Sequence, residues 1–328
     1  MSSASDPSAA LAAGPTLAVM SAAFVDRTDQ PLESLYRPRG ALDVALTLAP
    51  LRHGHGDPTI RFDGRTIWRA TRTPEGPATT RIEPLGDGYR VLAWGAGARS
   101  AIAALPRLLG DGDRVEAFVP VHPLLRELHR RAPGIRFGRT DAVMESLLPA
   151  IIEQKVTGIE ARAAYRALIY RHGERAPGPR GLWLAPAPEG LATIPYYDFH
   201  PLGLEQRRAV VIKRSAERAA WLEAAGELAP EAARSRLQSI PGVGPWTAAE
   251  TARAAFGDPD AVSVGDYHLP SLVCWALARE PRGTDERMLE LLEPWHGQRA
   301  RVVRLLEHAG IAPPKWGPRM RPGSIAGL

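Results

Sequence analysis

Apolar and polar residues alternate along the first third of the chain and then settle into a helical rhythm that lasts almost to its end. In "TIRFDGRTIWRAT" (59–71) the alternation is broken by Asp63-Gly64, a pair that favours a tight β-hairpin. "ALDVALTLAPL" (41–51), "TTRIEPLG" (79–86) and "GYRVLAWG" (88–95) have the same strand-like character, so an antiparallel sheet is expected over these segments. "GARSAIAALPRLLG" (97–110) predicts a short helix. From about residue 115 the apolar spacing becomes i, i+3, i+4. Helices are expected in "HPLLRELHRRA", ending near Pro133-Gly134, and in "DAVMESLLPAIIEQKVTGIEARAAYRALIYRHG", with a break near Val156–Ile159. One long amphipathic helix is expected in "GLEQRRAVVIKRSAERAAWLEAAG", closed by Gly226. "PEAARSRLQSI", "GPWTAAETARAAFG", "DYHLPSLVCWALA", "DERMLELLEPW" and "GQRARVVRLLEHAG" complete the series. The expected fold class is mainly α with an N-terminal α+β domain. Its parts are a loose tail over 1–33, a small antiparallel-sheet α+β domain over 34–112, a helical core over 113–312 and a basic Pro/Gly tail over 313–328.

Composition narrows the function. One cysteine among 328 residues excludes an internal disulfide framework and a four-cysteine zinc or iron–sulfur site. It also points to a reducing compartment. Residues 1–20 hold no Lys or Arg, and no uninterrupted apolar run reaches about 18 residues. Neither a signal peptide nor a membrane span is therefore expected, and the chain reads as cytoplasmic. A net charge of +5 and a pI near 9.6 favour a polyanionic partner.

The densest chemistry lies in "LQSIPGVGPWTAAE" (237–250), where Pro241, Gly242, Gly244 and Pro245 crowd the junction of two helical patterns. A turn that only changes direction needs one glycine; two, flanking an apolar residue, let something approach the backbone. Helix, hairpin and helix make a helix-hairpin-helix. Val243 would point inward and staple the helices. The free amides near Pro245–Thr247 and the helix dipole would form an anion site suited to a DNA phosphate, a contact that positions without reading a base. The hairpin carbonyls also suit a monovalent cation bridging to a phosphate. The alternative is a plain αα-corner.

Asp266, in "AVSVGDYHLPSLV", follows Gly244 by twenty-two residues and sits where an N-cap would sit. Capping alone is worth about 1 kcal/mol. A carboxylate at a helix start that faces the hairpin's groove can also stabilise an oxocarbenium ion or activate water as a base leaves a sugar.

Hairpin, Gly/Pro-rich loop and aspartate at this spacing resemble the helix-hairpin-helix/Gly-Pro/Asp superfamily of base-excision DNA glycosylases, most closely the 3-methyladenine DNA glycosylase II branch. Four segments carry the likeness: "LQSIPGVGPWTAAETARAAFGDPDAVSVGDYHL", "AVMESLLPAIIEQKVTGIEARAAYRALIYRHG", "FHPLGLEQRRAVVIKRSAE" and "LLEPWHGQRARVVRLL". The resemblance covers about 115–310 and implies a helix-hairpin-helix DNA glycosylase core. It implies Asp266 as the catalytic carboxylate and Gly242, Val243, Gly244, Trp246 and Thr247 as the hairpin that grips the DNA backbone. It implies a partner, double-stranded DNA containing a damaged base, and an activity that flips and hydrolyses off a damaged, alkylated purine. Bifunctional relatives have a lysine in or just after the hairpin; Pro245, Trp246 and Thr247 supply none, which implies water as the nucleophile. No cofactor besides the hairpin cation is expected, and the protein is expected to act as a monomer at the nucleoid.

The departures keep other readings open. "EQKVT" places Glu153 and Lys155 where the family has small, amide or apolar residues, near its wedge. Gln154 and Lys155 are candidates for the base pocket or wedge; Lys155 is also a candidate phosphate contact, an unorthodox nucleophile or a solvated side chain. The alternatives are a binder of damaged DNA without turnover, and a glycosylase/lyase for an oxidised base that uses Lys155. Tyr267 and Trp295 are the favoured aromatic pocket candidates, with Tyr196, Tyr197, Phe199 and Trp275 behind them. Leu305 and Leu306 stand where the branch often has a pocket Trp. Arg207, Arg208, Lys213, Arg214 and Arg218 suit backbone binding or a solvated face. His53 and His55, two residues apart with no ligand cluster nearby, are not expected to hold a metal.

Overall fold

The computed structural model describes residues 30–314, and most of both expected tails lies outside them. Five strands, β1 (Leu32–Tyr36), β2 (Ile60–Asp63), β3 (Thr66–Thr73), β4 (Gly76–Leu85) and β5 (Gly88–Trp94), form one antiparallel sheet in the order β1-β5-β4-β3-β2. Asp63 pairs with Thr66, leaving Gly64 and Arg65 as the turn, with Gly64 at φ 58°. Ile60, Ile67, Ile82 and Val91 face the helices α1 (Val44–Leu48) and α2 (Ala98–Leu108) across a shared apolar cluster.

Two sequence expectations fail in this domain. Residues 41–51 are not a strand: the Asp43 carboxylate accepts the Leu46 amide at 2.9 Å and starts α1, followed by a 3-10 turn over Ala49–Leu51. Val44 and Leu48 satisfy helical spacing as well as alternation, and so short a run does not separate the two. Conversely, β1 begins inside the stretch expected to be loose. Leu32 and Leu35 are exposed, so no alternation marks this strand. Pairing with β5, from Leu32 opposite Ala93 to Tyr36 opposite Tyr89, is what orders it.

The helical body runs α3 (Pro123–Arg131), α4 (Val143–Ile152), α5 (Gly158–His172), the short hairpin β6 (Glu174–Arg175) and β7 (Trp183–Leu184), then α6 (Pro188–Thr193), α7 (Tyr196–Phe199), α8 (Gln206–Glu217), α9 (Ala219–Glu223), α10 (Pro230–Gln238), α11 (Pro245–Ala255), α12 (Leu269–Ala278), α13 (Asp285–Leu292) and α14 (Arg299–His308). One apolar cluster joins α4, α5, α8, α10 and α11. A second joins α3, α12, α13 and α14.

The single helix expected over 203–226 breaks at Arg218 (φ −114°, ψ 18°) into α8 and α9. The break turns Glu223 toward α4, where its carboxylate accepts the Val143 and Met144 amides at 2.8 and 2.9 Å. Those orphan donors would otherwise lack partners. Burial raises the Glu223 carboxyl above its ordinary value, against the pull of the two amides. At the other end of α4, Arg208 donates to the Ile152 carbonyl at 2.7 Å.

The sheet is fastened to the helices by Glu145 of α4, which accepts from Arg69 Nη2 at 3.0 Å, Thr71 Oγ1 at 2.8 Å and the Arg72 amide at 2.7 Å. No helix among the described residues is long and apolar enough to cross a membrane.

Candidate active site

The turn between α10 and α11 is the hairpin that the sequence predicts. The Val243 amide donates to the Ile240 carbonyl at 2.9 Å and closes it. Val243 is 4% exposed and packs in the first apolar cluster, stapling the helices as expected. The two glycines differ in their reasons. Gly242 has φ +101°, and a Cβ there would stand 2.2 Å from Val211 Cγ2. Gly244 has φ −88° and open space where a Cβ would go, so packing within the protein does not require glycine there. Gly244 caps α11 and Pro245 occupies its first position, so the helix presents its leading amides outward.

Gln154, just past α4, fixes this turn. Its Nε2 donates to the Gly242 carbonyl at 3.0 Å and to Thr247 Oγ1 at 2.8 Å. Gln154 thus serves the hairpin as a brace, and the side chain of Thr247, 2% exposed, faces inward to it. Lys155, next along, is exposed and has φ +56°.

Asp266 is partly buried two residues before the N-cap of α12. Its Oδ1 accepts the amides of His268 (2.7 Å) and Leu269 (2.9 Å), so it caps the helix from one turn upstream. Its Oδ2 accepts Trp246 Nε1 at 3.0 Å. Three donors occupy most of the lone-pair sites of a carboxylate and leave room for one more partner.

Trp246 also forms part of the wall of a cavity of about 310 Å³ between the sheet domain and the helical body. Glu250 and Arg253, on the next turns of α11, pair with each other, and Ser263 Oγ donates to Glu250 at 2.5 Å. Arg304 and Glu307 reach the cavity from α14, and His53 and Tyr165 from the loop after α1 and from α5. Burial lowers the Arg304 guanidinium to about 10, and its Nη2 donates to the Leu46 carbonyl at 2.6 Å. Glu307 is open to the cavity but crowded by protein; this burial raises its carboxyl, with Glu250 and Asp266 adding to the effect and Arg253 and Arg304 opposing it. Burial works against the Arg253 charge, but Glu250, Glu307 and Asp266 together outweigh it and raise its pKa. The cavity wall thus combines apolar side chains such as Leu48, Leu108 and Phe137 with charges of both signs, and Asp266 acts on two of those charges, Arg253 and Glu307.

Other sequence candidates lie elsewhere. Trp295 is 7% exposed, donates to the Val119 carbonyl at 3.0 Å and packs in the second apolar cluster, off the cavity wall. Its indole has a packing partner, which makes it core. Tyr267 is 90% exposed, its ring 4.8 Å from that of His268, and it is not on the cavity wall either. Leu305 and Leu306 are buried in the second cluster, while their neighbours Arg304 and Glu307 face the cavity. Of the basic helix residues, Arg208 is buried as a cap, and Lys213 donates to the Ile194 carbonyl at 2.6 Å; Arg207, Arg214 and Arg218 are exposed. Among the described residues no cluster of His, Cys, Asp and Glu could hold a metal. Sequence reasoning passed over Glu250, Arg253, Arg304, Glu307 and Tyr165. Glu250 had a usable signal, lying four residues after Trp246 on the same helix face.

No model of a known protein family matches the chain. A Mycobacterium tuberculosis protein described as a probable bifunctional transcriptional activator/DNA repair enzyme AlkA is 28% identical over 210 residues, which are 61% of this chain and 42% of that protein. The chain therefore spans less than half the length of that relative. Among solved structures, a 3-methyladenine DNA-glycosylase from Archaeoglobus fulgidus superposes with a TM-score of 0.69 at 20% identity, covering 84% of this chain and 98% of the other. A Clostridium acetobutylicum 8-oxoguanine glycosylase/lyase, solved with double-stranded DNA, superposes with a TM-score of 0.66 at 14% identity, covering 86% and 98%. The chain has the fold of the helix-hairpin-helix/Gly-Pro/Asp DNA glycosylases, mainly helical with a small antiparallel sheet domain, as its motifs implied.

Proposed function

We propose that the protein is a base-excision DNA glycosylase that binds duplex DNA as a monomer, takes a damaged purine out of the stack and hydrolyses its N-glycosidic bond. The observation that carries this reading is the hydrogen bond from Trp246 to Asp266, because it joins hairpin, carboxylate and cavity in one unit. The hairpin amides hold a backbone phosphate, and the flipped base enters the cavity. A monovalent cation on the hairpin carbonyls would add a bridge to that phosphate. As the C1′–N bond breaks, its electron pair leaves with the base and the sugar gains oxocarbenium character. The Asp266 carboxylate stabilises that charge, and a water oxygen bonds to C1′, its proton passing to Asp266 or solvent.

Hydrolysis without a lyase step is supported by Pro245, Trp246 and Thr247, which give the hairpin no amine to form a Schiff base. An alkylated purine comes first as substrate, on the sequence resemblance to the alkylation-repair branch. Two observations favour a second reading, a glycosylase/lyase for an oxidised purine: the charged cavity wall, and Lys155 exposed on the turn that Gln154 ties to the hairpin.

The test is chromatographic release of free bases from methylated DNA and from duplexes with a single oxidised purine, comparing wild type with Asp266→Asn. Release by wild type and a loss of about a hundredfold or more in the variant support the hydrolase, and the peaks identify the substrate. Binding without release from any substrate sinks the enzymatic reading in favour of a binder. Borohydride trapping on an abasic duplex, lost in Lys155→Ala, would support the lyase.

A further inference from the structure

Base excision leaves the loop between α1 and β2, "RHGHGD" (52–57), unexplained. Its geometry is specific. Asp57 is fully buried and points into its own loop, accepting the His53 amide at 2.7 Å and the Thr59 amide and hydroxyl at 2.8 Å. The loop so fixed lies directly on two arginines of α5. Gly54 has φ +89°, and a Cβ there would stand 2.4 Å from Arg162 Cδ; at Gly56 it would stand 3.1 Å from Arg166 Nη1. Arg162 and Arg166 are four residues apart and share a helix face. Arg52 stacks on Phe62 at 4.7 Å. With His55 and Arg162 it lines a hollow of about 570 Å³.

The acids nearby are already engaged. Asp57 serves the loop amides, Glu160 accepts from the Thr157 amide and hydroxyl, and Glu153 lies 3.5 Å from His53 Nδ1. Among the described residues no salt bridge includes Arg52, Arg162 or Arg166; the ion pair of this loop is that of His53 with Glu153, and Arg52 meets only the Phe62 ring. The N-terminus of α5 is closed by its own Thr157–Glu160 capping box, so the guanidinium groups are the donors of this patch. The patch also adjoins the hairpin: His53 meets Glu153, and the next residue, Gln154, is bonded to Gly242 and Thr247.

We propose that Arg52, Arg162 and Arg166 form a second phosphodiester-binding surface, through which the N-terminal domain and α5 hold the DNA backbone beyond the hairpin. This rests on the duplex-DNA reading given above. Guanidinium groups match phosphate oxygens with two parallel hydrogen bonds, and unpaired ones need no partner displaced first. Contacts of this kind are independent of sequence, and each releases counterions.

The test is fluorescence anisotropy of a labelled undamaged duplex across a series of KCl concentrations. Removing two phosphate contacts should lower the steepness of log K against log salt by about 1.8, about 0.9 for each. Arg162→Ala/Arg166→Ala should show that fall, and Arg162→Lys/Arg166→Lys should recover it. Should the double alanine variant fail to fold by circular dichroism, Arg52→Ala is read instead, with an expected fall of about 0.9. A wild-type slope in these alanine variants overturns the proposal while the DNA-binding reading stands. A wild type that binds no duplex at all overturns both.

Discussion

Trp246 and Asp266, twenty residues apart in sequence, are joined by a hydrogen bond of 3.0 Å from the indole Nε1 to the carboxylate Oδ2. The second residue of α11 is thereby tied to the residue that caps α12.

Trp246→Phe keeps a ring on the cavity wall and removes only the donor. A hydrogen bond to a charged group is worth about 1.5–3 kcal/mol, so single-turnover base release should fall about tenfold to a hundredfold while affinity for undamaged duplex is kept. An unchanged rate would show that the bond has no catalytic consequence.

Gln154→Ala leaves the Gly242 carbonyl and the buried Thr247 hydroxyl without this donor. A loss of about 1–3 kcal/mol in chemical denaturation is expected, together with weaker binding of undamaged duplex because the hairpin is no longer braced. Normal binding at reduced stability would confine Gln154 to folding.

The two hairpin glycines should separate folding from binding. Gly242→Ala meets both a left-handed φ and Val211, so its unfolding free energy in chemical denaturation should drop by about 1–3 kcal/mol. Gly244→Ala meets open space at an ordinary φ, so stability should be kept while duplex affinity falls, the methyl group standing where a phosphate approaches. Equal affinity in Gly244→Ala and wild type would place the DNA elsewhere.

Glu307 gives a pH prediction. Burial raises its carboxyl in the folded protein. Its folded-state contribution is therefore fully present below the ordinary carboxylate value and is lost as pH rises through the raised one. Glu307→Gln removes that cost. The variant's thermal midpoint should match wild type at acid pH and exceed it at neutral pH. A gap that does not change with pH would mean that Glu307 titrates normally.

Local signals fixed much of this protein. Asp63-Gly64 marked its hairpin because few residues accept that turn. Pro241 to Pro245 marked the helix-hairpin-helix, and Asp266 its place before α12, because backbone conformation and capping act over a few residues. The strand wrongly expected at 41–51 and the unseen β1 show the limit of such signals. A five-residue run fits two periods, and an edge strand can be held by its neighbour's hydrogen bonds alone.

Which side chains share the cavity with Trp246, the partner of Asp266, was decided only by the tertiary structure. Trp295 and Phe199 were pocket candidates and Trp246 a hairpin residue, yet packing put the first two in apolar clusters and Trp246 on the cavity wall. The cavity wall came from Glu250, Arg253, Arg304, Glu307 and His53, on three separated segments. Sequence determines which face of a helix is polar, because that depends on residues three and four apart. Which polar faces meet around a cavity depends on how whole helices and the sheet pack, and that is set by the apolar clusters on their opposite sides.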